Sequence, residues 1–244
     1  MSLIPATILT GFLGSGKTTL LQRVLTEAHG QKIAVIENEF GEENIDNEIL
    51  VHDAGEQIIQ MSNGCVCCTI REDLRNTLQL LGAKKRKGLL DFERVIIETT
   101  GLADPGPVAQ TFFMDDEIAE SFLLDSIITL VDAKHAAQQL NDRLEAQRQV
   151  GFADQIFISK ADLVGQDELA ALQHRLRHMN PRAAQKARIA WPASIRFIEE
   201  IRQPGPTCSP STSRCRSRSL ITCWVWVSAL ASAITWSSCS SIST

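Results

Sequence analysis

Ile4-Pro5-Ala6-Thr7-Ile8-Leu9-Thr10-Gly11-Phe12-Leu13-Gly14-Ser15-Gly16-Lys17-Thr18-Thr19-Leu20-Leu21 decides the fold. Ile4 to Thr10 is an apolar, β-rich run that reads as a strand, and Lys17 to Ala28 has the spacing of a helix. Between them, Gly11 to Thr18 satisfies the pattern Gly-x-x-x-x-Gly-Lys-Thr. Glycines at these places let the backbone wrap closely around a phosphate chain and aim successive N–H groups, with the helix N-terminus, at negative charge. Gly11, Gly14, Ser15, Gly16 and Thr19 are then the backbone cradle. Lys17 would reach the β- and γ-phosphates, and the Thr18 hydroxyl would ligate Mg²⁺. A glycine-rich turn that merely caps a helix is the plainer alternative, and a strand before with a helix after weighs against it.

The pattern outward from this loop is β and α in alternation. Lys32 to Glu37, Arg94 to Thr99, Ser126 to Asp132 and Gln155 to Ser159 read as further strands. Helices are expected over Thr69 to Leu81, Ala133 to Gln149 and Asp167 to His178, the first opened by a Thr69/Glu72 capping box and closed by Gly82 and the basic run Lys84 to Lys87. Strand runs such as Val95-Ile96-Ile97 are continuously apolar rather than alternating, which requires burial on both faces. The expected architecture is a three-layer α/β/α domain with a mainly parallel sheet, covering residues 1–182.

A phosphate site of this kind needs an acid on a neighbouring strand to complete the Mg²⁺ shell. Glu98 closes the apolar run from Arg94, and Gly101 behind it leaves a backbone N–H free to approach a γ-phosphate, so that the loop Leu102 to Pro105 could sense hydrolysis. Base selection is expected from Ser159-Lys160-Ala161-Asp162. The Asp162 carboxylate can accept from both N1–H and the exocyclic amine of guanine, whereas adenine would leave it facing an acceptor, which favours GTP. The Lys160 stem can lie over the purine while its ammonium stays wet.

Asn63-Gly64-Cys65-Val66-Cys67-Cys68 places three thiols in four residues ahead of the Thr69 helix, where the positive helix end lowers their pKa. Thiolates at this density select Zn²⁺ or a similar ion, but three are one short of a closed tetrahedral shell. Water, a carboxylate or a second chain, as in a homodimer, must complete it. Glu37 and Glu42, in the loop Glu37-Asn38-Glu39-Phe40-Gly41-Glu42, are candidate oxygen ligands. Three buried cysteines packed as small hydrophobes are the alternative.

Composition narrows the function further. With 44% apolar and 22% charged residues, global disorder and a small disulfide scaffold are excluded as descriptions of the whole. A net charge of −5 provides no basic footprint for nucleic acid. Met1-Ser2-Leu3-Ile4-Pro5-Ala6 lacks the basic and apolar regions of a secretory leader, so a cytoplasmic location is expected. Residues 201–244 carry 4 basic and no acidic groups, against 20 and 29 in residues 1–200. Residues 183–244 read as an aberrant, low-complexity tail with the composition of a shifted reading frame; a membrane anchor over Leu220 to Trp236 is the lesser alternative, at the short end of a spanning length.

The strings GFLGSGKTTLL from Gly11, ENEFGE from Glu37, NGCVCC from Asn63, ETTGLADPGP from Glu98, VDAKH from Val131 and KADLV from Lys160 together resemble the CobW class of P-loop GTPases, whose relatives UreG and HypB deliver nickel, and within it the YjiA-type zinc-regulated members. The resemblance implies GTP hydrolysis coupled to insertion of zinc, cobalt or nickel into a client metalloprotein, with Cys65, Cys67 and Cys68 as ligands and Glu37 and Glu42 as partners. Two departures stand out. Ser159 replaces the family's Asn or Thr, a shorter side chain expected to loosen the guanine pocket, and residues 183–244 do not resemble the family's C-terminal domain. Two other readings follow from the loop alone: an ATP-using small-molecule kinase, which has no need of Asp162, and a nucleotide-binding scaffold without turnover.

Overall fold

The computed structural model describes residues 3–26, 32–39, 49–52, 56–62 and 69–187. In chain order these form β1 (Ile4–Gly11), α1 (Lys17–Thr26), β2 (Ile33–Glu39), β3 (Ile49–His52), β4 (Glu56–Ser62), α2 (Thr69–Arg86), β5 (Arg94–Glu98), α3 (Pro105–Met114), α4 (Asp116–Ser121), β6 (Phe122–Asp132), α5 (Ala136–Asp142), α6 (Leu144–Phe152), β7 (Gln155–Ser159), a single 3₁₀ turn (Ala161–Leu163), α7 (Gln166–Met179) and β8 (Ala184–Ala187).

All eight strands share one sheet in the order β3-β4-β2-β5-β1-β6-β7-β8. Every pairing is parallel except β3 against β4. The five strands read from sequence are present, with β6 starting earlier, at Phe122. Successive residues on the central strands point to opposite layers. Leu130 and Phe157 join Leu20, Leu21, Val24 and Leu25 of α1 in one apolar cluster, while Val131, Ile156 and Ile158 join Leu140, Val150, Leu172 and Leu176 of α5, α6 and α7 in another. Burying each such side chain is worth about 1.5–3 kcal/mol, so covering both faces is what holds the parallel sheet.

Three expectations are corrected. α2 does not end at Gly82 but runs through it to Arg86, and the glycine sits where a Cβ would lie 3.4 Å from the Phe122 ring. The stop is Gly88, at φ +69°, where Leu89 N donates to Lys84 O and Gly88 N to Lys85 O, the paired bonds of a Schellman turn. The single helix expected over Ala133 to Gln149 is two, broken at Arg143 in extended backbone. Finally, the sheet passes residue 182 and takes in β8, which pairs with β7 from Gln155↔Ala184 to Ile158↔Ala187. The tail assigned to residues 183–244 otherwise lies outside the described residues.

Candidate functional site

β1 is the switch point of the sheet: β5, reached after β2, β3 and β4, pairs on one side and β6 on the other. In an open parallel sheet the crevice at the C-terminal strand ends beside such a point is where ligands bind. Gly11 to Thr18 leaves β1 there and runs directly into α1. Gly14 and Gly16 have φ of +75° and +95°, values L side chains rarely adopt, and a Cβ on either would meet no heavy atom within 4 Å. Gly11, at φ +146°, is needed for a further reason, since a Cβ there would lie 2.4 Å from Leu130 O on β6.

Lys17, at the first turn of α1, is buried and folds back so that its Nζ donates to Gly11 O at 2.7 Å. Burial lowers its pKa, and the negative charge of Glu98 partly offsets this. The Thr18 hydroxyl donates to Glu98 Oε1 at 2.9 Å. Glu98 is brought there by the parallel register of β1 and β5, which pairs it with Leu9, and the same strand end pairs with Glu37 of β2. Leu13, Gly14, Lys17, Thr18, Glu37, Glu98, Thr99, Thr100, Gly101 and Leu102 line one open cavity of about 480 Å³. Ser15 and Thr19 complete the loop and helix start, Ser15 buried and Thr19 exposed.

Gly101 packs against the loop so closely that a Cβ would fall 2.7 Å from Leu13 N. The other side of its turn is gripped by α6. Gln149, buried, donates its Nε2 to Gly101 O at 3.1 Å and Ala103 O at 3.0 Å. Arg148 Nη1 donates to Asp104 Oδ2 at 2.9 Å, and Asp104 in turn caps α3 by accepting from Gly106 N.

The residues after β7 are tied to the same loop. Lys160, in the left-handed region at φ 54°, donates its Nζ to Gly14 O at 2.8 Å and to Asp132 Oδ2 at 2.7 Å. Its ammonium is therefore engaged rather than left to water. Asp132, buried at the end of β6, also accepts from Lys134 N and contacts His135 Nδ1, both at 2.9 Å. Burial pushes its carboxyl pKa up, but the bonds from Lys160, His135 and Lys134 N outweigh that and hold it below the ordinary value. The Ser159 hydroxyl turns to the loop, 2.8 Å from Ser15 O, with Val131 O at 3.3 Å as a second acceptor. Asp162, exposed, sits in the 3₁₀ turn beyond, and is not among the cavity-lining residues.

Asp132, Gln149 and the loop-facing role of Ser159 were not read from sequence. Asp132 carried the signal that found Glu98, an acid closing an apolar strand, whereas a glutamine inside a helix carries none. Cys65, Cys67, Cys68 and Glu42 lie outside the described residues; the strand leading into the thiol segment, β4, pairs with β2 up to Glu39↔Ser62, at the same sheet end as Glu37. Among the described residues no group of three or more His, Cys, Asp and Glu is gathered to hold a metal.

A glycine loop at the switch point of a parallel sheet, its lysine buried and its threonine on the acid of the adjacent strand, defines a P-loop nucleotide-binding protein of three-layer α/β/α fold. The donors fit a phosphate chain with a divalent cation: a cation and open glycine backbone on one side, a hydroxyl–carboxylate pair on the other. The chain belongs to the CobW/HypB/UreG family, whose nucleotide-binding domain matches residues 5–186. It is 49% identical over 183 residues to the zinc chaperone YjiA of Escherichia coli K12, covering 75% of this chain and 57% of the relative. It is 36% identical to the zinc-regulated GTPase metalloprotein activator 1 of Schizosaccharomyces pombe, covering 72% and 44%. The crystal structure of Zn(II)-bound YjiA GTPase from E. coli superposes with a TM-score of 0.66 at 37% identity, over 91% of this chain and 69% of that one. HypB from Helicobacter pylori in complex with nickel shares the fold, at 18% identity and a TM-score of 0.50, over 81% and 84%. The chain spans about half the length of the two curated relatives.

Proposed function

We propose that this protein is a cytoplasmic GTPase metallochaperone, which binds GTP with Mg²⁺, hydrolyses it, and couples hydrolysis to transfer of zinc, or a similar divalent ion such as cobalt or nickel, to a client metalloprotein. The observation that carries the reading is the convergence of Lys17, Thr18, Glu98, Gly101 and Glu37 on one cavity. The open backbone of Gly14 and Gly16, with Ser15 and Thr19, would cradle the phosphates, and Lys17 would exchange its bond to Gly11 O for phosphate oxygens. Thr18 and Glu98 would hold Mg²⁺, which when bound neutralises charge developing on the β- and γ-oxygens. Little covalent chemistry is asked of the protein. Water attack on the γ-phosphate needs positioning and electrostatic stabilisation, and the Gly101 N–H would contribute to both. Guanine is assigned to Asp162, with Lys160 holding that segment against the loop at Gly14.

Zinc is cargo in this scheme, assigned to Cys65, Cys67, Cys68, Glu37 and Glu42. Glu37 ties the two halves together, because it lines the nucleotide cavity on the strand that pairs with β4, and β4 leads into the thiols. A change at the γ-phosphate would then reach the ion through that strand pair. The names of the relatives, a zinc chaperone and a zinc-regulated GTPase activator, support the same reading. Zinc titration of the chain loaded with GTP or GDP, with phosphate release followed in parallel and ATP as control, tests it. Tighter zinc binding in one nucleotide state, zinc-dependent turnover lost in Cys67→Ala, and preference for GTP are expected. Equal zinc affinity with both nucleotides would remove the coupling, and equal use of ATP would remove the guanine assignment.

A further inference from the structure

α7 turns one face inward through Leu172 and Leu176, both buried in the apolar cluster beneath it. Two positions on from each of these, the opposite face presents His174 and His178, both exposed. They stand four residues apart on the same helix, so their side chains rise one above the other. Their ring centroids are 5.0 Å apart, with the planes inclined at 66°. Nothing in the nucleotide or thiol chemistry uses them.

That spacing has a chemical meaning. With Zn–N near 2.1 Å and about 1.1 Å from ring nitrogen to ring centre, two imidazoles on one ion have centroids about 4.5 Å apart at a 90° angle and about 5.2 Å apart at a tetrahedral one. The observed separation falls between. Bringing the two lone pairs onto one point asks only for χ rotation of exposed side chains, with no backbone movement. The surrounding charge is tolerable. His178 lies in the last turn of α7, where the unsatisfied carbonyl end of the helix favours cations. Arg175 spends its guanidinium on Ala137 O and Asn141 Oδ1 over α5, which leaves Arg177 as the near positive charge on this helix.

We infer that His174 and His178 form a second metal site, a surface chelate for a borderline divalent cation such as Zn²⁺, Ni²⁺ or Cu²⁺. Neutral imidazole suits these ions, while Mg²⁺ prefers oxygen and is excluded. Two protein ligands leave the remaining positions to water, so the ion held there is exchangeable and can leave by ligand substitution. The site stands apart from the proposed GTPase function and does not depend on it.

Zn²⁺ titration of the full chain, without nucleotide, decides the matter when wild type is compared with His174→Ala, His178→Ala and the double variant. The wild type is expected to bind one equivalent more than the double variant. Either single change should weaken that equivalent about tenfold or more, since each imidazole raises the effective concentration of the other, and the double variant should lose it altogether. The same difference should persist in a chain carrying Cys65→Ser, Cys67→Ser and Cys68→Ser. In NMR spectra of the imidazole C–H groups, the His174 and His178 signals should move together on the same equivalent of Zn²⁺ and neither should move with Mg²⁺. Equal stoichiometry in wild type and double variant, or movement of one ring without the other, overturns the site and leaves an edge-to-face ring contact only. Melting temperatures without metal, expected to be unchanged for these exposed positions, show that the variants fold.

Discussion

Gly101 has no room for even a methyl group. A Cβ would fall 2.6 Å from Leu13 Cδ2 and 2.7 Å from Leu13 N, and while the leucine tip can swing away, the backbone nitrogen belongs to the phosphate loop itself. Gly101→Ala must therefore push the loop and the β5 turn apart. Overpacking of this kind costs about 1–3 kcal/mol, and here the displacement lands where Gly101 N–H would meet the γ-phosphate. Single-turnover GTP hydrolysis is expected to slow by about 10–100-fold, or about 1.4–2.7 kcal/mol of barrier, with a lower melting temperature. A variant with wild-type turnover would show that the turn does not approach the reacting phosphate. At this scale the sequence was informative where a residue's chemistry is tied to a fixed local pattern, as for Gly14, Gly16, Lys17 and Glu98. It was silent where the partner is remote in sequence: Ser159, taken as part of the base pocket, is 2.8 Å from Ser15 O, 144 residues away.

Among the elements, α6 stands out for what it holds rather than what it buries. Arg148 and Gln149 reach Asp104, Gly101 and Ala103, and Gly106 on α3 is close enough to α6 that a Cβ there would lie 2.9 Å from the Phe152 ring. One helix thus fixes the whole turn between β5 and α3. Gln149→Glu keeps the size but replaces two donated bonds with an acceptor facing two carbonyls in a buried place, at a cost of about 1–3 kcal/mol or more. Because Gln149 makes no bond to the phosphate loop, GTP affinity should stay within a few-fold while turnover falls about tenfold or more. Loss of affinity without loss of turnover would assign α6 to the nucleotide pocket instead. The break at Arg143 that frees α6 from α5 was invisible beforehand, for the sequence there holds neither Gly nor Pro. α3 was hidden for the opposite reason: Pro-Gly-Pro reads as a loop, yet Pro105 and Pro107 fall in the first turn, where the missing N–H groups have no helical partner to lose. β3 and β8 are four-residue strands at the two sheet edges, too short for periodicity to declare them, and β8, Ala-Gln-Lys-Ala, has no β-branched residue and is only half-buried.

Over the whole domain, the chemistry is gathered at the C-terminal strand ends, and the other end of the sheet is left to stability. There Arg94, buried at the start of β5, donates to Thr7 Oγ1 and Asp125 Oδ2 at 2.9 and 2.8 Å. Asp154, before β7, accepts from Ile127 N at 2.8 Å, and burial, with Asp125 adding like charge, pushes its pKa up to about 6 against the pull of that bond. An unfolded Asp titrates near 4. The native state therefore takes up this proton more readily than the unfolded chain. The stabilisation that results is fully present below about pH 4 and is lost as pH rises through about 6, leaving a buried charge at a net penalty on the order of 2 kcal/mol. Asp154→Asn retains an oxygen for Ile127 N and removes the charge. Its melting temperature is expected to exceed that of wild type by roughly 4–8 °C at pH 8 and to converge with it near pH 4, a difference that thermal melts at matched ionic strength would resolve. A variant that melts lower at pH 8, or differs by the same amount at both ends of the range, would mean that Asp154 is held there by its hydrogen bond and not penalised by its charge.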